Sequence, residues 1–160
     1  MLFVILFVLT LGTSFSQDDD EPIIKNFTID EVEIEFKNQN SFSKNEILNI
    51  IKTGNSDLFN QEEFVLDMQR IEKFYFDNGY IDAFIDTSST INQIKREISV
   101  KFFILENKPY IVNKVNYIGL EFLPDDLKKN LLSPEEINFS ENQIYNKTFV
   151  TSEAGRVLGF

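Results

Sequence analysis

A chain of 160 residues, 42% hydrophobic and 14% aromatic, has the material for one domain or two small ones. It contains no cysteine and no histidine, which removes disulfides, thiolate nucleophiles, zinc sites of the usual nitrogen–sulfur kind and the commonest general base. A net charge of −11 argues against nucleic acid or anionic lipid as the main ligand.

Residues 1–16 read as a secretory signal peptide. Leu2 to Leu11 is almost wholly apolar, and Ser14 and Ser16 put small residues where cleavage before Gln17 needs them. The run is far shorter than the roughly 20 apolar residues that span a bilayer, which disfavours a membrane anchor. No Lys or Arg precedes it. Residues 17–26, with Asp18, Asp19, Asp20 and Glu21, form an acidic leader with too little apolar surface to fold.

In Ile29 to Phe36, Val32, Ile34 and Phe36 alternate with Glu31, Glu33 and Glu35, the period of a half-buried strand. Ser43 and Glu46 are spaced as a capping box for a short helix with Ile47, Ile50 and Ile51 facing inward. Asn60 and Glu63 have the same spacing ahead of a long helix, where Phe64, Met68, Ile71 and Tyr75 form one stripe. Gly79 can end that helix in a left-handed conformation without a Cβ clash. A strand is predicted from Ile81 to Thr87 and a polar connector from Ser88 to Arg96. A second strand runs from Glu97 to Leu105, with Ile98, Val100, Phe102 and Ile104 on one face and Phe103 and Leu105 on the other. The order β-α-α-β-β over residues 27–107 predicts an α+β module, a three-stranded sheet covered on one face by two antiparallel helices.

Residues 108–160 begin the pattern again. A strand is predicted over Tyr110 to Ile118, ended by Gly119, then a short helix over Leu123 to Leu132 and a long one within Asn142 to Phe160. Val32 and Val115, about 80 residues apart, mark an internal repeat. The second copy is expected to be truncated before its hairpin, with the natural protein continuing past Phe160. Paired acids such as Glu62 and Glu63, or Asp125 and Asp126, fall at helix starts, where they complement the macrodipole.

Several of these segments resemble, in the same order, the POTRA domains of the BamA/TamA family of outer-membrane barrel-assembly proteins. They are VEIEF (Val32 to Phe36), the helix Ser43 to Ile51, and FYFDNGYI (Phe74 to Ile81), which holds Tyr75, Gly79 and Tyr80. After the strand Val100 to Glu106, ENKPY (Glu106 to Tyr110) is similar to the family's module junction, and VNYIG, ending at Gly119, to the start of the next module. Gln39 and Asn107 stand where the family usually has glycine.

The resemblance implies a module without catalytic residues, cofactor, nucleotide or metal. It implies a place on the periplasmic face of the bacterial outer membrane, ahead of a C-terminal membrane β-barrel. The implied partners are unfolded outer-membrane β-barrel proteins and accessory assembly subunits, not nucleic acid. Clients would add as a strand to the edge formed by the module's second strand, here Ile81, Asp82, Ala83, Phe84, Ile85, Asp86 and Thr87. Main-chain pairing makes such binding tolerant of sequence, and Asp82 and Asp86 would discourage self-pairing. Two other readings share the fold: a two-partner secretion transporter, and a helix-anchored septation or cell-wall scaffold. A hydrolase using only carboxylates is the remaining alternative.

Overall fold

The computed structural model describes residues 26–137 and 139–159. The expected signal peptide and all but the last residue of the acidic leader lie outside the described residues. The chain is built from β1 (Thr28–Phe36), α1 (Lys44–Ile50), α2 (Gln61–Asp77), β2 (Phe84–Asn92), β3 (Glu97–Leu105), α3 (Asp125–Leu131) and α4 (Lys147–Leu158). A 3-10 turn at Leu120–Phe122 precedes α3.

The sheet order is β1-β3-β2, with β3 parallel to β1 and antiparallel to β2. The strand richest in apolar residues takes the centre, where both its edges are paired. The glutamate-rich and serine/threonine-rich strands take the outside. β1 carries a register shift between Ile29 and Glu31. This bulge lets Ile29 and Val32, three apart, both face the interior, which strict alternation forbids.

The core lies between the sheet and the two helices on one face. Ile47 of α1 and Ile71 and Tyr75 of α2 meet Ile34, Ile85, Phe102 and Ile104 of the sheet, all buried. Phe64 and Met68 are partly buried against the same cluster. A second cluster joins Phe27 and Ile29 to Ile98 and Val100, with Phe59 and Phe64 packed against it. This is the α+β architecture that the alternation and the helical stripes predict.

The helix caps follow local chemistry. Ser43 and Glu46 make the reciprocal capping box of α1. Asn60 accepts from the N–H groups of Glu62 and Glu63. Glu63 does not complete a box there: its carboxylate pairs with Arg70 at 2.5 Å. A guanidinium two turns along the helix offers a charge-assisted partner that outweighs a neutral backbone N–H.

Two predicted strands move. Ile81 and Asp82 lie in a turn closed by the Ala83 N–H donating to the Tyr80 carbonyl, so β2 begins at Phe84 rather than Ile81. It then runs to Asn92, through half of the expected connector. Serine and threonine suit an edge strand whose pairing to β3 is made by the main chain. Residues 110–118 form no strand, except for an isolated bridge between Ile111 and Ile144. β1 is held as a strand by β3, and among the described residues nothing stands beside 110–118 in that way. The last helix, expected within Asn142 to Phe160, runs from Lys147 to Leu158, and Asn146 caps it by accepting from Thr148 and Phe149.

The second half nevertheless repeats the hydrogen bonds of the first. Phe59 N–H donates to Phe27 O and Ile29 N–H to Asp57 O; likewise Tyr145 donates to Tyr110 and Val112 to Gln143, all four at 2.8 Å. Ser56 and Asn142, each at positive φ, then donate to Ile29 and Val112. Asn60 and Asn146 occupy the same capping place.

Candidate edge strand and module junction

The two outer strands differ in what covers them. Along the outer side of β1 runs the segment 55–59. It takes up the Ile29 N–H, the Ile29 carbonyl and the Phe27 carbonyl, and Asn55 accepts from the Val32 N–H at 3.0 Å. No comparable segment runs along the outer side of β2 among the described residues. Its pairing to β3 is continuous from Phe84↔Leu105 to Asn92↔Glu97. At Thr87 the N–H is taken by the Asp86 carboxylate at 2.8 Å, a local cap on an edge donor.

Of the seven expected edge residues, the structure places Phe84, Ile85, Asp86 and Thr87 on β2, and Ile81, Asp82 and Ala83 in the turn before it. Ile85 is buried in the core, so its contribution to the edge is its backbone. Phe84 is 60% exposed on the opposite face, beside Leu105 and Phe103, and Lys37 lies 4.0 Å over the Phe103 ring. Phe84, Phe103, Leu105, Lys37 and Asp86 line a shallow groove of ≈ 310 Å³. Phe103 and Leu105 on the outer face were its sequence signal, but their proximity to Phe84 and Lys37 is a product of strand register.

The signature residues gather where the module ends. Glu106 is fully buried. Its carboxylate accepts from the Ser41 N–H at 2.8 and 3.0 Å and from the Tyr75 hydroxyl at 2.9 Å. Tyr80 donates to Ser41 Oγ at 2.6 Å, and the Glu106 N–H to Asn38 at 3.2 Å. Burial, then the bond to Glu106, push the Tyr75 phenol well above its ordinary pKa. No cation pairs with Glu106 in this set of bonds; two donors converge on the carboxylate, the Ser41 N–H shared by both oxygens and the Tyr75 hydroxyl. Ser41, the link between Tyr80 and Glu106, is not marked by any sequence pattern because its partners are far away in the chain.

Gly79 sits at φ +90°, and a Cβ there would lie 2.4 Å from the Tyr145 carbonyl oxygen. Its own carbonyl accepts from Tyr110 at 2.8 Å. Asn146 donates to Asn78 at 2.9 Å, Lys147 pairs with Asp77 at 3.5 Å, and the Tyr110 hydroxyl donates to Asp82 at 3.0 Å. That last bond raises the Tyr110 pKa. Asn107, at φ +59°, donates to the Asp82 carbonyl at 2.7 Å. The end of α2 is thus a docking surface for the second half as well as a helix terminus. Gly119, also left-handed at φ +87°, lies away from it, with none of the described residues near its Cβ position.

The arrangement offers edge hydrogen bonds and an apolar patch, and among the described residues no group of three acidic side chains is placed to hold a metal ion. Comparison with known proteins agrees with the geometry. The family model POTRA, described as surface antigen variable number repeat, matches residues 27–107, just over half of the chain. A Treponema pallidum (strain Nichols) protein named as an outer membrane protein assembly factor is 21% identical over 115 residues, covering 72% of this chain. The chain spans 14% of that relative's length. The structure of BamA from Haemophilus ducreyi lacking POTRA domains 1–3 has a TM-score of 0.54 at 18% identity, over 82% of this chain and 24% of that one. BamA POTRA3–5 of Haemophilus influenzae gives 0.48 at 19% identity, over 81% and 53%. With the family match over the whole of the sheet, its two helices and the buried Tyr75–Glu106 closure, the chain belongs to the POTRA family.

Proposed function

We propose that this chain is the polypeptide-receiving region of an outer-membrane protein assembly factor, working at the periplasmic face of the outer membrane. Unfolded barrel proteins add as a strand to β2 and are passed on for insertion. Residues 27–107 are one complete module, 108–160 part of a second, and accessory subunits dock on the same array. The observation that carries this is the contrast between the edges: the outer side of β1 is covered by residues 55–59 as far as Val32, while among the described residues no segment covers that of β2. An extended client would pair with the main chain of β2 and set its outward side chains beside Phe84, Phe103 and Leu105. Barrel strands, which alternate apolar and polar residues, fit such a two-sided edge.

The test is a nuclear magnetic resonance titration with a synthetic ten-residue barrel strand. Shifts are expected along residues 84–92. Because the Thr87 N–H points away from β3, alternation directs the Ser89 N–H outward too. Ser89→Pro should therefore weaken binding about tenfold, about 1.4 kcal/mol, while leaving thermal unfolding nearly unchanged. Shifts confined to other surfaces would sink the proposal.

A further inference from the structure

The sheet face turned away from the helices pairs its charges in the middle and leaves one unpaired at the open edge. Lys101 of β3 meets Glu33 at 2.7 Å and Glu35 at 3.5 Å on β1, and Lys37 meets Glu35 at 2.6 Å. Both ammonium groups stand near the Phe103 ring, Lys37 4.0 Å and Lys101 5.7 Å from its centre. Asp86 lies directly opposite Phe103 on β2 and is exposed, and among the described residues it pairs with no cation. The apolar surface of that edge is equally local. Alternation puts Phe84, Asp86, Ser88 and Thr90 on this face of β2, and of these only Phe84, paired with Leu105, is apolar.

Resting on the reading of β2 as the client edge, we propose that this edge selects extended polypeptides by one pattern. A lysine or arginine of the client faces Asp86, and a large apolar side chain two residues away lies over Phe84 and Leu105. A strand added beside β2 sets its side chains about 4.5–5.5 Å, Cβ to Cβ, from those directly opposite, within reach of an ion pair. Lys37 and Lys101 are held by Glu33 and Glu35, so the cation for Asp86 comes from the incoming strand. An acidic side chain at that place meets a second carboxylate, so the position discriminates by repulsion as well as by attraction. Beyond Asp86, Ser88 and Thr90 offer no second apolar contact, which fixes the client's register at the Phe84 end.

The test is binding, to the whole chain, of threonine-rich peptides with a central lysine and a leucine two places to either side, so that either strand direction sets a leucine over Phe84. Affinity and the residues contacted are read together from amide shifts at low ionic strength. Replacing the lysine by glutamate should weaken binding about fivefold or more. An isomer with the lysine moved one place, onto the other face, should lose about threefold at the same net charge. Asp86→Asn keeps an oxygen to accept the Thr87 N–H and should remove most of the preference for lysine, and Asp86→Lys should reverse it in favour of glutamate. Equal affinities for all peptides, with shifts along residues 84–92, would overturn the selection and leave β2 standing as the client edge. A lysine preference that survives Asp86→Asn would also overturn it, leaving only attraction to the net charge of −11. Absence of shifts at 84–92 with every peptide would take the edge reading down as well.

Discussion

Asp67 sits fully buried on α2, and its two oxygens accept from the N–H groups of Lys52 and Thr53 at 2.8 and 2.7 Å. It closes the loop that follows α1, and Arg70 pairs with it one turn on. Burial works to raise its pKa, but bonds from Thr53, the Lys52 N–H and Arg70 prevail and hold it below the usual carboxylate value. A depressed native pKa stabilises the fold above the unfolded value near ~3.9 and loses that contribution as pH falls through the native one. Asp67→Asn should thus cost about 1.5–3 kcal/mol in urea denaturation at pH 7, with a gap to the wild type that narrows below pH ~4. Tyr75→Phe isolates a second buried bond. It keeps the ring in the core and leaves Glu106 bonded to Ser41, so a loss of about 1–1.5 kcal/mol is expected from the same measurement.

Among the elements, α2 and the turn after it have two tasks. The helix covers the sheet, and its C-terminal end receives Tyr110, Tyr145, Asn146 and Lys147. Gly79 serves both, through its left-handed backbone and the absent Cβ. Gly79→Ala should cost about 1–2 kcal/mol from the backbone alone, and the contact with the Tyr145 carbonyl adds to it. Hydrogen exchange should then show Tyr110 and Tyr145 amides losing protection while β1 and β3 keep theirs. Equal loss in both halves would mean that the glycine acts only as a helix cap.

For the whole molecule, the balance is between an open edge that receives a strand and one that aggregates. Asp86 guards β2 in two ways, by capping the Thr87 N–H and by putting charge in the groove of Phe84, Phe103 and Leu105. Asp86→Val removes both and should produce concentration-dependent dimers in sedimentation velocity, where the wild type stays monomeric. The net charge of −11 opposes association over longer distances, and raising ionic strength should increase the variant's dimerisation.

The amino-acid sequence by itself determined the helices, their caps at Ser43, Asn60 and Gly79, the inward stripe ending at Tyr75 and the alternation of β1 and β3. These features depend on neighbours within a few residues, so period and cap chemistry suffice to read them. The tertiary structure decided where β2 starts, that residues 110–118 are not a strand, that Glu63 turns to Arg70, and that Ser41 joins Tyr80 to Glu106. Each of these depends on a partner. A strand exists only beside another strand, and a buried carboxylate is tolerated only where distant donors converge on it. Local spacing carries no record of which chain segments will meet.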